Sequence, residues 1–305
     1  MTNPTTSNAR PIPMLVNPGG GSAKKVLEVL EADPRFVVHE TKPDALATKI
    51  QELSSGGATR IGVSGGDGTI SAAAAEVAGS ATELAVIPGG TLNHLARDNG
   101  IPVEPEKAAE LAATGDARPI DAATVNGQLF LNTSSVGAYV TFVRTRERLE
   151  KRMWYWPASA VAGLQMLFRL PRFHVHIDPD GTAAGKSYSA CLVFISVGER
   201  DFDKGLFGER TADGKRALHV IVVPNAGVRR LVAMVFSAIF SGMRANLGEV
   251  ESLLVDGCRI EMRRPKGYVS YDGELERMTA PLEYRYHRDR IQLVSPPAGE
   301  RSKSE

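Results

Sequence analysis

Cysteine is scarce in this 305-residue chain: Cys191 and Cys258 are the only two. Both stand in apolar, strand-like surroundings, so a disulfide framework is excluded and two core thiols in a reducing cytoplasm are expected. Charge of one sign is also lacking. With 36 basic and 35 acidic residues the net charge is +1, which provides no global drive toward nucleic acid, and no nucleic-acid partner is expected. No apolar run reaches the roughly 20 residues that span a bilayer. Trp154 to Leu170 is interrupted by Pro157 and Arg169, and Leu231 to Phe240 is shorter still, so both are expected to be helices covering a sheet. The first ten residues lack the apolar core of a signal peptide and read as a frayed leader. Residues from about Pro296 onward read as a polar tail, and no solenoid period is visible. An apolar share of 43% with 23% charged residues is that of an ordinary globular chain, long enough for two domains.

Glycine, by contrast, is concentrated in three turns. Ile61-Gly62-Val63 runs into Gly65-Gly66-Asp67-Gly68-Thr69 ahead of a helix-forming stretch, Ala72 to Ala75. Glycine accepts positive φ and leaves no Cβ between backbone N–H groups and a phosphate, and the following helix presents its positive end. The lysine and hydroxyl pair of a P-loop is absent, and the spacing is not that of the Rossmann fingerprint. Leu84 to Ile87 ends in Pro88-Gly89-Gly90-Thr91, with a helical pattern from Leu92 to Asp98, and Ile12 to Val16 ends in Asn17-Pro18-Gly19-Gly20-Gly21 before Ala23 to Leu30. In an open α/β sheet such loops gather beyond the carboxyl ends of the strands, where ligands bind.

The pattern changes near Asn126-Gly127, a type I′ hairpin signal. Before it strands alternate with helices, the last of them opening at Pro105. After it come strand patterns at Phe173 to Ile177, Tyr188 to Val197, Leu218 to Val223, Arg259 to Met262, Tyr268 to Tyr271 and Leu282 to Tyr286. The expected fold is an α/β N-terminal domain with Gly-rich nucleotide loops, residues 10–128, followed by a mainly antiparallel β-sandwich domain, residues 129–287.

These residues resemble the catalytic domain of the diacylglycerol kinase family, in particular soluble bacterial lipid kinases related to sphingosine kinases. The likeness rests on the Asn17 to Gly21 turn, GGDGT at Gly65 to Thr69, PGGTLNHLARDNGIP at Pro88 to Pro102, Ile120-Asp121 with Phe130-Leu131-Asn132, and Asp272-Gly273-Glu274. The resemblance implies ATP-dependent phosphorylation of a lipid hydroxyl with Mg²⁺, and a chain end, residues 288–297, that returns to the first domain. It implies nucleotide contacts at Asn17, Gly21, Thr41, Gly65, Gly66, Gly68, Thr69, Ser71 and Thr91, with Glu274 facing the nucleotide or its metal. Lys24 and Lys25 read as solvated helix positions.

Phosphoryl transfer needs an aligned hydroxyl and neutralised phosphate charge. Asp272 is the candidate general base, although Asp-Gly by itself commonly means only a hairpin turn. Asp67, in the glycine cradle, needs a Mg²⁺ ion or a metal-bound water to offset its charge, with Asp121, or alternatively Asp44, as a second carboxylate acting through water. The family often carries an aspartate after the asparagine of its GTxN segment. Here Asn93 is followed by His94, whose neutral imidazole cannot supply the same charge and points to a rearranged water network, with weakened catalysis as the alternative. Basic residues in Asp213 to Leu218 leave no expectation of a metal site in the second domain. His174 and His176 share a strand face without a supporting ligand, and polar surface roles are expected for them.

Arg144, Arg146, Arg148, Lys151 and Arg152 precede Trp154 and Trp156, a combination suited to transient contact with an anionic membrane surface from the cytoplasmic side. A solvated basic helix face fits the same pattern. A homodimer is compatible with the sequence. Two other function classes share features with this chain: a small-molecule kinase of the NAD kinase type, which also uses GGDGT, and a nucleotide-binding regulator without turnover, for which His94 speaks.

Overall fold

The computed structural model describes residues 10–150 apart from 92, 173–179, 185–201, 209–225 apart from 212, and 251–297, together with 154, 157, 161, 162 and 165. The chain divides into two compact units, Met1–Ile120 with Asp289–Glu305, and Asp121–Arg288.

The first unit is a parallel sheet with crossover helices. Strands β1 (Ile12–Val16), β2 (Phe36–Glu40), β3 (Arg60–Gly65) and β4 (Glu83–Pro88) alternate with helices α1 (Ala23–Glu31), α2 (Leu46–Ser55), α3 (Asp67–Val77), α4 (His94–Asp98) and α5 (Pro105–Thr114). The strands lie in the order β2-β1-β3-β4, and the C-terminal end of β17 (Leu282–Val294) extends the parallel sheet beside β4 through Gln292 and Leu293. Helices α1 and α5 pack together, as do α2 and α3. Right-handed crossovers in this strand order place the two pairs on opposite faces.

Burial on both faces explains why the central strands are apolar almost without interruption. Met14, Val16, Val26, Leu30, Ala85, Ile87 and Ala108 form one core, while Ile61, Val63, Leu84 and Ile70 are fully buried as well. Each large aliphatic side chain contributes about 2 kcal/mol by leaving water. The end of α5 is capped by Arg60, which donates to the carbonyls of Ala112 and Gly115, each at 2.8 Å, and pairs with Glu83 at 2.7 Å.

The second unit is mainly antiparallel. The β5 (Ala117–Val125) and β6 (Gln128–Phe130) hairpin turns at Asn126 and Gly127, with φ of 48° and 87°, as a type I′ turn requires. Next come β7 (Thr133–Gly137), α6 (Ala138–Glu150), β8 (Phe173–Pro179), β9 (Lys186–Val197), β10 (Arg200–Asp201), β11 (Glu209–Arg210) and β12 (Leu218–Pro224). Strands β13 (Glu251–Val255), β14 (Gly257–Met262), β15 (Lys266–Tyr271), β16 (Glu274–Thr279) and the first half of β17 complete it.

The long strand β9 organises this unit. Its start pairs with β8 and its end with β7 along one edge, while β12 runs along the other. The wings that share it enclose one core, with Phe130, Val136, Val193, Ile195, Val220, Ile260, Val269 and Tyr284 buried. The Phe130 and Tyr284 rings meet edge to face at 6.2 Å. Both cysteines are buried and free, and burial pushes the Cys191 thiol up from its ordinary value. The sequence expectation of an α/β unit followed by an antiparallel unit describes this architecture. Two stretches expected as covering helices, Trp154–Leu170 and Leu231–Phe240, lie outside the described residues except for single positions of the first. No helix among the described residues is long and apolar enough to cross a membrane.

One buried imidazole couples the second unit to pH. His219 is almost wholly buried, accepts the Arg200 N–H at Nδ1 (3.2 Å) and meets Ser252 Oγ at Nε2 (2.7 Å). Burial lowers its pKa; Glu199 opposes the shift and Arg200 adds to it. A depressed folded-state pKa favours the neutral ring. Its stabilisation is therefore complete above the unfolded value of about 6.5 and is lost as pH falls through the lower folded value. Calorimetric melting from pH 7.5 to 5 is expected to show a falling Tm. The decline should be shallower in His219→Gln, and an unchanged slope would remove His219 as its source.

Candidate nucleotide-binding and acceptor residues

In the first unit the strand order reverses between β1 and β3. Chain leaving β1 leads through α1 to β2 on one side, and α2 carries it back across to β3. Loops at such a switch point diverge and open a crevice at the carboxyl ends of the strands. Gly65 closes β3, Asn17, Gly21, Thr41, Gly66, Asp67, Gly68, Thr69 and Thr91 lie on the loops or the first helical turn beyond the strand ends, and Ser71 follows in α3.

Backbone hydrogen bonds tie the loops together. Thr41 N–H donates to Val16 O (2.9 Å), Asn17 N–H to Ser64 O (3.3 Å) and Gly89 N–H to Gly65 O (2.8 Å). A Cβ on Gly90 would stand 2.7 Å from the Gly66 Cα, so the two glycine turns meet backbone to backbone. Asn93 locks the second turn. It adopts the left-handed conformation, φ 50°, its Oδ1 accepts the Gly90 N–H (2.9 Å) and its Nδ2 donates to Gly90 O (2.8 Å). Sequence reasoning gave Asn93 no such role; an asparagine just after a glycine turn, tolerant of positive φ, was the available signal.

Helix α3 starts at Gly66 without a side-chain cap, so its first amides lack intrahelical acceptors and its positive end faces the loops. Asp67 Oδ1 is buried there with no hydrogen-bond partner. A buried carboxylate oxygen at a phosphate-type cradle is the chemistry that a nucleotide-borne cation satisfies, since Mg²⁺ commonly takes one or two carboxylates and completes its shell with phosphate oxygens and water. Lys25 is paired with Glu106 at 3.0 Å, and Lys24 is exposed, as expected for solvated positions. His94 opens α4 with its side chain exposed, and Asp44 is exposed in the short 3₁₀ turn Pro43–Ala45.

In the second unit Asp272 and Gly273 form the two-residue turn between β15 and β16, with φ of 45° and 91°. The hairpin meaning of Asp-Gly is therefore real, and the side chain has a second occupation. Its Oδ2 accepts the Leu131 N–H (2.7 Å) and its Oδ1 accepts those of Asn132 (2.9 Å) and Thr133 (3.1 Å). Asp272 N–H returns a bond to Thr133 O (2.8 Å). Charge-assisted bonds from three successive amides hold the carboxylate in one orientation and explain the pairing of the Phe130-Leu131-Asn132 segment with Asp-Gly. Glu274 is exposed two residues on.

Asp121 is occupied otherwise than the sequence suggested. It is 5% exposed and bound by Arg216 (Nε at 3.0 Å, with Nη2 also in contact), by Arg210 at 3.5 Å and by the Tyr286 hydroxyl at 2.5 Å. Burial, then Asp121 itself, raises the Tyr286 phenol above its usual range, so it stays a donor. A carboxylate neutralised by two guanidiniums offers little negative potential to a cation, and the expectation of a water-mediated metal contact at Asp121 is not carried further. No cluster of three His, Cys, Asp or Glu side chains converges among the described residues.

Residues 11–125 match the family model of the diacylglycerol kinase catalytic domain. A Pseudomonas aeruginosa protein named "Probable lipid kinase YegS-like" is 44% identical over 128 residues, 40% of this chain and 41% of that protein. A diacylglycerol kinase of Bacillus subtilis is 36% identical over 143 residues, 46% of this chain and 47% of the relative. The aligned part thus spans less than half the length of these relatives. A crystal structure of a diacylglycerol kinase from Bacillus anthracis shares the fold, with a TM-score of 0.70 at 24% identity over 96% of this chain and 100% of that one.

Close packing of the glycine turns makes a sharp contrast between two substitutions. Gly90→Ala forces a Cβ onto backbone that cannot yield cheaply and is expected to cost 1–3 kcal/mol in denaturant unfolding. Gly21→Ala meets nothing within 4 Å and should stay within about 0.5 kcal/mol of the parent. Equal unfolding midpoints for the two variants would contradict the backbone contact.

Proposed function

We propose that this chain, a member of the diacylglycerol kinase catalytic-domain family through residues 11–125, is an ATP-dependent lipid kinase that phosphorylates a hydroxyl of diacylglycerol or a similar lipid. The observation that carries the proposal is the buried, unpartnered Asp67 Oδ1 at the uncapped start of α3, inside a cradle of glycine turns. Backbone N–H groups of Gly65 to Thr69 and of Gly21 would receive phosphates, with Asn17, Thr41, Ser71 and Thr91 as further nucleotide contacts. Asp67 would hold Mg²⁺, which supplies neutralisation of phosphate charge when bound.

Asp272 is the proposed catalytic residue, accepting the lipid hydroxyl, and Glu274 is proposed as a further nucleotide contact. The role is a modest one: in a loose phosphoryl-transfer transition state, aligning the hydroxyl counts for more than removing its proton early. A carboxylate fixed by three amides is suited to alignment. A cytoplasmic enzyme of this kind meets its substrate by transient contact with the membrane surface.

Purified protein incubated with labelled ATP, NAD and a panel of lipid hydroxyls tests the reading. Transfer to NAD alone would overturn it, and ATP binding without transfer would leave a regulator. Asp272→Asn should lower transfer by about 10²-fold or more while ATP affinity stays within twofold. Because an amide NH₂ would face a backbone donor, this variant is also expected to lose about 1–3 kcal/mol of stability, so assays belong well below its unfolding midpoint. Asp67→Asn should weaken ATP binding in Mg²⁺ and leave metal-free binding nearly unchanged in calorimetric titration; equal losses in both would remove Asp67 from the metal.

A further inference from the structure

Strand alternation sorts charge on the β15–β16 hairpin. Val269 and Met278 point into the core, so the residues two apart from their neighbours, Lys266, Tyr268 and Ser270 on β15, share the opposite face. Their cross-strand partners on that face are Thr279, Arg277 and Leu275. No carboxylate falls on it: Glu274 and Glu276 stand opposite Tyr271 and Val269, in the other register. Glu276 is further engaged by the Tyr271 hydroxyl at 2.7 Å.

Helix α6 packs against this hairpin and adds to the same face. Arg144 is exposed and places its guanidinium 4.0 Å from the Tyr268 ring centroid. Tyr268 is 37% exposed, with Arg277 and Lys266 exposed beside it, and the turn from β14 contributes exposed Arg263 and Arg264. Five exposed cations thus fall on the hairpin, on the turn that leads into it and on the helix packed against it, one of them stacked on a partly exposed aromatic ring. Arginine stacked on a tyrosine is the pairing of cation and amphipathic ring that suits the headgroup region of a bilayer, where the ring body is apolar and the hydroxyl wet.

We propose that the surface formed by Arg144, Arg263, Arg264, Lys266, Tyr268 and Arg277 docks the protein on anionic phospholipid bilayers. The inference rests on the lipid-kinase reading, because it supplies the contact through which a lipid acceptor reaches the enzyme. Charge complementarity selects the occupant: a chain of net charge +1 concentrates five cations where no acidic side chain shares the hairpin face. Tyr268 is four strand residues, roughly 13 Å, from Asp272, so docking keeps that carboxylate close to the interface. Trp154, 87% exposed, lies four residues beyond the end of the same helix.

The test is cosedimentation of the full chain with vesicles of phosphatidylcholine alone and of phosphatidylcholine with 30% phosphatidylglycerol, at low and 0.5 M salt. Binding is expected to the anionic vesicles only, weakened by salt. Juxtamembrane cations contribute about fivefold each, so the triple variant Arg263→Gln, Arg264→Gln, Lys266→Gln should bind on the order of a hundredfold less tightly. Circular dichroism melting confirms that it folds. Its transfer to a short-chain, monomeric diacylglycerol should match the parent, and its transfer to vesicle-borne substrate should fall with binding. Undiminished vesicle binding by the triple variant, or no anionic preference in the parent, would overturn the surface. So would tighter binding of a DNA oligonucleotide than of anionic vesicles through the same residues. Preserved vesicle binding with no transfer to any lipid would instead refute the kinase reading and leave the surface standing.

Discussion

Close contact between two backbones underlies the first unit. The Gly65-Gly66 and Gly89-Gly90 turns sit one against the other with no side chain between them, and the Gly89 N–H to Gly65 O bond joins the ends of β3 and β4. Everything proposed for nucleotide recognition depends on that proximity. It sets the second turn against the uncapped start of α3, whose first amides lack intrahelical acceptors. Asn93, in a left-handed conformation, fixes the second turn through two hydrogen bonds to a single residue.

Asp272 shows the same economy in the second unit. The residue that makes the β15–β16 turn also binds three amides of the segment between β6 and β7, so one side chain orders two loops distant in sequence. A turn residue placed this way is rigid. Rigidity in a candidate acceptor of a substrate hydroxyl favours alignment, which dominates in phosphoryl transfer. By contrast Asp121, a carboxylate of similar promise in the sequence, is spent on Arg210, Arg216 and Tyr286. Residue type and neighbourhood in sequence do not distinguish these two aspartates. Their partners, about 90 or more positions away along the chain, do.

Much of the fold was legible because its signals are local. Asn126-Gly127 and Asp272-Gly273 announce type I′ turns through the conformational tolerance of two residues, and both occur. The apolar strands of the first unit, each ending in glycine, and the alternating strands of the second follow from which faces are buried. The basic surface around Tyr268 was only half visible. Arg144 could be read as part of a charged helix, but its neighbours Lys266 and Arg277 lie more than 120 residues on, and strand pairing alone sets them on one face.

The sequence by itself determined the order of elements, the turn types and the glycine loops beyond the parallel strands, since these depend on φ preference and on periods of two and 3.6 residues. Only the tertiary structure decided that Asp67 Oδ1 is buried and unpartnered, that Asp121 belongs to two arginines, and that Asp272 rests on three amides. Those outcomes are pairings between groups far apart in the chain. No local preference encodes them, because a carboxylate's partner is chosen by the packing that delivers a donor to within 3 Å of it.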